Sequence, residues 1–133
     1  MPVVPIRLSD VPLYKRLRES ATRRQVDIST LAERLIDEGS RMEAHPGVMF
    51  QEGPTGRRAV LAGGPEVADV IALMIRGDVP VKDRRTRTSE LMGLSLPTVD
   101  AALAYYADHT EEVDTEIAAR DRAASEAEAA WRR

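Results

Sequence analysis

Val3-Val4-Pro5-Ile6-Arg7-Leu8 is the stretch that decides how this chain is read. Val4, Ile6 and Leu8 alternate with Val3, Pro5 and Arg7, the period of a half-buried strand. Ser9-Asp10-Val11-Pro12 follows as a helix start, a capping oxygen and then a proline where no amide hydrogen is required. Leu13, Leu17 and Ala21 recur every four residues on one helical face. Val26-Asp27-Ile28-Ser29 stops that helix and caps a second, whose apolar stripe is Ile28, Leu31, Ala32, Leu35, Ile36 and Met42. Gly39 interrupts the stripe and is expected to bend or fray the helix.

A single strand has no partner for its backbone groups, and a unit of about 40 residues is usually too small for its own core. A second copy of the chain answers both problems. Two strands pair antiparallel and four helices close over their inner face. Residues 1–44 are therefore expected to form a homodimer.

The whole chain has 133 residues, about one domain's worth, with 19 Lys and Arg against 22 Asp and Glu and a net charge of -3. Cysteine is absent, so disulfides, thiolate metal sites and cysteine nucleophiles are excluded. No apolar run approaches the roughly 18 residues of a membrane span, and the first residues lack the apolar stretch of a secretory signal. A cytoplasmic protein without a membrane partner is expected. Charge is uneven: residues 1–24 carry six basic groups against two acidic, and residues 91–133 four against nine. A basic front and an acidic back suit different partners, though ordinary solvated helix faces would look the same.

Residues 45–109 read as a second unit. Val48-Met49-Phe50 and Arg57-Arg58-Ala59-Val60-Leu61 are short strands around a Gly53-Pro54-Thr55-Gly56 turn. Pro65-Glu66 starts a helix with Val67, Val70, Ile71 and Met74 on its apolar face, ended by Gly77. Val79-Pro80-Val81-Lys82 reads as a loop, then a short helix near 88–92, the Gly93-Leu94-Ser95 turn, and a helix from about Pro97 to Ala107. Ser89, Gly93 and Val99 hold the small-residue, turn-glycine and buried-aliphatic spacings of a helix-turn-helix.

Residues 110–133 read as a long helix capped by Thr110, with Glu111, Glu112 and Asp114 facing its dipole. Val113, Ile117, Ala124, Ala127 and Trp131 fall on one stripe. Seven of the thirteen residues 118–130 are alanine, so helix propensity is high while the greasy area is small. Such a helix either stands in solvent or docks onto a partner.

The fold class is thus mainly α: a ribbon-helix-helix unit, a small helix-turn-helix-like domain with a short β-hairpin, and a long C-terminal helix. Enzymatic chemistry has little to rest on. His45 lies in a linker before Pro46-Gly47, His109 near a helix end in another part of the chain, and Gly53-Pro54-Thr55-Gly56-Arg57 lacks the ending of a phosphate-binding loop. No catalytic residue, metal or cofactor is assigned.

DNA contact has two candidate places. A two-stranded ribbon fits the major groove, with Val3, Pro5, Arg7 and Ser9 facing outward and Arg7 matched to guanine's two acceptors. Lys15, Arg16, Arg23 and Arg24 suit phosphates, and the helix start at Ser29-Thr30 offers amides to another. Pro5 and Val3 present no polar group to a base, which weakens that face. The second place is the helix-turn-helix, whose recognition helix carries Asp100 and Asp108 and no basic residue. Repulsion from phosphates favours a structural or protein-binding role there, although Arg84, Arg85 and Arg87 just before it suit a phosphate or an acidic partner.

Two family resemblances add to this reading. Val4-Pro5-Ile6-Arg7-Leu8, Leu13-Tyr14-Lys15-Arg16-Leu17 and Asp27-Ile28-Ser29-Thr30-Leu31-Ala32-Glu33-Arg34-Leu35-Ile36 resemble the ribbon-helix-helix repressors and antitoxins, over roughly residues 3–43. His45-Pro46-Gly47-Val48, Gly63-Gly64-Pro65-Glu66-Val67 and the Thr98 to His109 block resemble a helix-turn-helix-like domain-of-unknown-function family, number 433, over roughly residues 45–117. The early loop, Gly53-Pro54-Thr55-Gly56-Arg57, is a shortened variant of that family's motif.

Members of the second family often lie in VapB-type antitoxins. The resemblance implies an antitoxin of a type II toxin-antitoxin pair that occludes a PIN-like ribonuclease toxin and acts as a transcriptional repressor of its own operon by binding operator DNA. It implies toxin contact by Val113, Ile117, Trp131, Arg132 and Arg133, with an arginine entering the toxin's carboxylate cluster. The plainer reading has Trp131 packed back on its own domain. A stand-alone dimeric transcriptional regulator and a protein-interaction module are the alternatives.

Overall fold

Helix α1, Val11–Arg24, opens where the sequence gives it reason to. Asp10 takes the extended cap conformation, though its side chain does not make the hydrogen bond expected of a capping oxygen, and Pro12 occupies the first turn, where its missing amide hydrogen is not needed. The helix closes on Gln25, a left-handed residue at φ 57°, whose amide donates to the carbonyls of Ala21 and Thr22. Helix α2, Ile28–Ala44, begins when the Asp27 carboxylate accepts from the Thr30 amide at 2.7 Å. It runs through Gly39 to Ala44: a single glycine lowers helix stability without stopping it.

The structure, a computed structural model, describes residues 1–54, 56–76 and 78–133. The expected turn position Thr55 and the helix stop at Gly77 lie outside the described residues. The chain divides into two units, Met1–Arg41 and Met42–Arg133, so the last turn of α2 belongs to the second.

In the first unit the expected strand at Val4–Leu8 does not form within a single chain. Met1–Asp10 has no regular structure and every residue of it is exposed. The physical reason is the missing neighbour, since a strand gains its hydrogen bonds only from another strand. Ala21 and Leu31 are buried, while Leu13, Leu35 and Ile36 of the two apolar stripes remain exposed.

The second unit is built on a hairpin, β1 (Val48–Gly53) paired antiparallel with β2 (Gly56–Leu61). Val48 faces Leu61 and Phe50 faces Ala59, so alternation carries these four toward the core and leaves Met49 outside. Helix α3, Val67–Ile75, buries Val67, Val70 and Ile71 as its periodicity requires, with Arg76 as its C-cap.

Helix α4 spans Val81–Met92, well beyond the short helix expected near residue 88. After the exposed Val81 its first two turns are Lys, Asp, Arg and Thr, so no apolar stripe announced them. Gly93 ends it at φ 65°, a left-handed position suited to glycine. Helix α5, Leu96–Asp108, is capped by Ser95, which accepts from the Thr98 amide. Helix α6, Thr110–Trp131, has His109 rather than Thr110 at its cap position. The Thr110 hydroxyl turns back instead to the Tyr106 carbonyl at 2.6 Å. Val67, Ile71, Val99, Tyr105 and Val113 form the centre of the core, each essentially inaccessible, and each worth roughly 1.5–3 kcal/mol of burial.

Candidate functional site

All ten residues expected to meet DNA lie in the first unit and face solvent. Val3, Pro5, Arg7 and Ser9 are on the irregular N-terminal segment, Lys15, Arg16, Arg23 and Arg24 on α1, and Ser29 and Thr30 in the first turn of α2. One expectation is corrected: the Thr30 amide is not free for a phosphate, because the Asp27 carboxylate holds it. Hydrogen bonds from the Thr30 side chain and backbone keep that carboxyl below its usual range, so the helix start presents a negative charge.

Beside the basic residues the same unit exposes a set of large apolar side chains. Val4 is 75% exposed, Ile6 59%, Ile36 54% and Leu35 47%. Isolated exposed leucines are common on proteins; here several large apolar side chains are exposed within one unit. Along α1, Val11, Tyr14, Lys15 and Arg18 line a shallow groove of about 760 Å³.

In the second unit, α4, the Gly93-Leu94-Ser95 turn and α5 form a helix, a tight turn and a helix. The Ser89 hydroxyl donates to the Leu94 carbonyl at 2.6 Å, and the Leu94 amide returns to the Ser89 carbonyl at 3.0 Å. Both carboxylates that weighed against DNA docking have partners. Arg85 grips Asp100 through two nitrogens at 2.6 and 2.7 Å, which holds the Asp100 carboxyl below its usual range. Asp108 lies 2.8 Å from Nε2 of His45. Val99 is fully buried, with Leu103 and Tyr106 half-buried, so these are packing positions.

Sequence reasoning missed the group around His45. The two histidines, read as belonging to separate parts of the chain, stand 5.9 Å apart between ring centres, and both lie in the second unit. His45 is buried, meeting Tyr105 edge-on at 5.4 Å, and Tyr105 meets His109 at 4.5 Å. The Tyr105 hydroxyl donates to Glu112 at 2.8 Å. The i, i+4 spacing of Tyr105 and His109 was visible in the sequence, but nothing local tied His45 to them. Among the described residues no cluster of three His, Cys, Asp or Glu side chains is arranged to hold a metal ion.

The residues expected to meet a toxin separate into two groups. Val113 is buried in the core, which corrects it from a partner contact to a structural one, and Ile117 packs half-buried against that core. Arg58 pairs with Glu116 at 3.3 Å, and Arg120 pairs with Glu66 and Asp69, fastening this inner half of α6. From Asp121 onward every residue is exposed. Trp131 is 85% exposed, which removes the reading that it packs back on its own domain, and Arg132 reaches Glu128 at 2.6 Å.

Compared with known proteins, the chain matches no family model, no curated protein and no solved structure.

Proposed function

We propose that this chain is a homodimeric, DNA-binding antitoxin that occludes a PIN-like ribonuclease toxin and represses its own operon. The observation that carries the reading is the uncovered apolar set of Val4, Ile6, Leu8, Leu13, Leu35 and Ile36, next to a predominantly basic surface. A second copy supplies both a partner strand for Val4–Leu8 and a cover for the exposed helix stripes. Once two strands pair, Arg7 and its counterpart stand on one ribbon, and the α1 basic residues flank it. DNA binding then requires dimerisation, because the reading surface is made only by pairing.

The toxin-directed part rests on family resemblance and on the exposed end of α6. Trp131 together with Arg132 and Arg133 has the composition of an interface anchor beside an acidic site. The mechanism is occlusion, with no bond made or broken by this chain.

The test is the mass of the purified chain, gel-shift binding to its own upstream DNA, and co-expression with the product of the adjacent reading frame. Two copies per particle, a shifted band lost in Arg7→Ala and a stable complex with a growth-inhibiting partner are expected. A particle of one chain refutes the dimer. DNA binding without a toxin partner leaves a stand-alone regulator, and partner binding without DNA leaves an interaction module.

A further inference from the structure

We propose that the pocket between the end of α3 and α4 binds a phosphoryl group. It encloses about 320 Å³ and brings together Arg76, Arg84 and Arg87, with Asp78 as the one acidic residue of its lining. Leu73 and Leu91 line it too. In a chain whose net charge is -3, three guanidinium groups on one small concavity form a local excess of positive charge.

The three arginines are differently held, and in a way that suits an incoming anion. The Arg84 Nε donates to the Val79 carbonyl at 3.3 Å, which orients its half-buried guanidinium and leaves the terminal nitrogens for a ligand. Arg87 reaches Asp78 only at 3.5 Å, a loose pair that an oxyanion can replace. Arg76 has no ion pair among the described residues.

Arg84 and Arg87 lie three residues apart on one face of α4, and Arg76 arrives from the end of α3. Two elements therefore contribute arginines to one pocket, and a ligand with several acceptor oxygens can meet more than one of them. Guanidinium forks match phosphoryl oxygens in geometry and charge. A free phosphate ester and a phosphodiester of a nucleic acid backbone offer the same chemistry.

The proposal is independent of dimerisation and is tested on the full chain with inorganic phosphate and, separately, a short duplex of unrelated sequence. Binding is followed by calorimetry and by the rise in Tm that a native-state ligand produces. Arg84→Gln is expected to weaken binding about tenfold or more, the loss of one charge-assisted contact. Arg76→Gln should do likewise. Arg76 is exposed, so this second variant keeps the test readable if Arg84→Gln fails to fold. Loss for phosphate alone identifies a free phosphate ester as the source, and loss for the duplex identifies a nucleic acid backbone. Unchanged affinity for both probes in Arg76→Gln, no saturable binding of either, or acetate bound as well as phosphate, overturns the proposal.

Discussion

Nε2 of His45 lies 2.8 Å from Oδ2 of Asp108, joining the residue that follows α2 to the last residue of α5. The imidazole is buried and its ring meets Tyr105 edge-on, whereas the carboxylate is 64% exposed. The two partners are thus unequal in what they hold up. His45→Ala removes a buried ring and should cost about 2–3 kcal/mol in urea unfolding. Asp108→Ala removes only an exposed charge and should cost less than about 1 kcal/mol. Equal effects would show that the His45–Asp108 contact, not the ring packing, is what matters.

The Arg58–Glu116 pair makes a pH-dependent prediction. Burial raises the Glu116 carboxyl above its usual value, Arg58 pulls it down and Glu112 pushes it up. A raised acid binds its proton more tightly in the folded state, so its contribution to stability is fullest in acid and is lost as pH rises through the raised value. Arg58→Ala strips away the opposing cation and should cost about 2 kcal/mol near neutrality, discounted for partial exposure. The loss should shrink toward pH 4, where the carboxyls protonate. Thermal melts of both proteins across that range test it.

Asp27 behaves in the opposite sense. Its carboxyl is held low by the hydrogen bonds from Thr30, so its support for α2 is present above the ordinary aspartate value and fades as pH falls through the depressed one. Asp27→Ala should therefore lower helicity at 222 nm at pH 7. The difference from the parent chain should close well below about pH 4. A gap that persists in acid would mean that the side chain acts by some route other than its charge.

Ile36→Asp addresses the apolar stripe of α2. Ile36 is 54% exposed in the single chain, so the substitution should change the stability of that chain by no more than about 0.5 kcal/mol. If a second copy covers the stripe, the same change converts a two-chain particle to one chain in light scattering. Retention of the larger particle would place the copy-to-copy contact elsewhere.

Trp131 is the one tryptophan of the chain and is 85% exposed, which makes it a built-in reporter. Its emission should be that of a solvated indole in the free protein and should move to shorter wavelength when a partner covers the end of α6. Trp131→Ala should leave the melting temperature unchanged while weakening capture of that partner.

Much of the architecture could be read from the residues because the signals were local. Two short strand runs, Val48–Phe50 and Arg57–Leu61, around a turn composition marked the hairpin, and the helical recurrence of Val67, Val70, Ile71 and Met74 marked α3. The front of α4 escaped because Lys82 to Arg87 has helix-compatible residues without an apolar face. Val4–Leu8 carried the right alternation, but alternation states only which side would be covered and cannot supply the neighbouring strand. The His45 group was illegible for another reason. Its members meet only after the hairpin and α5 have folded onto one core, and a linear pattern holds no record of that encounter.

The division of α6 into a fastened inner half and a bare outer half has a kinetic consequence. A helical stretch as short as Asp121–Trp131 would scarcely persist alone in water, because its first turn is the difficult one to make. Here Val113, Ile117 and Arg120 have already made that turn on the body of the domain. The tip inherits a running template, so whatever grasps it need only stop the fraying of the last few residues.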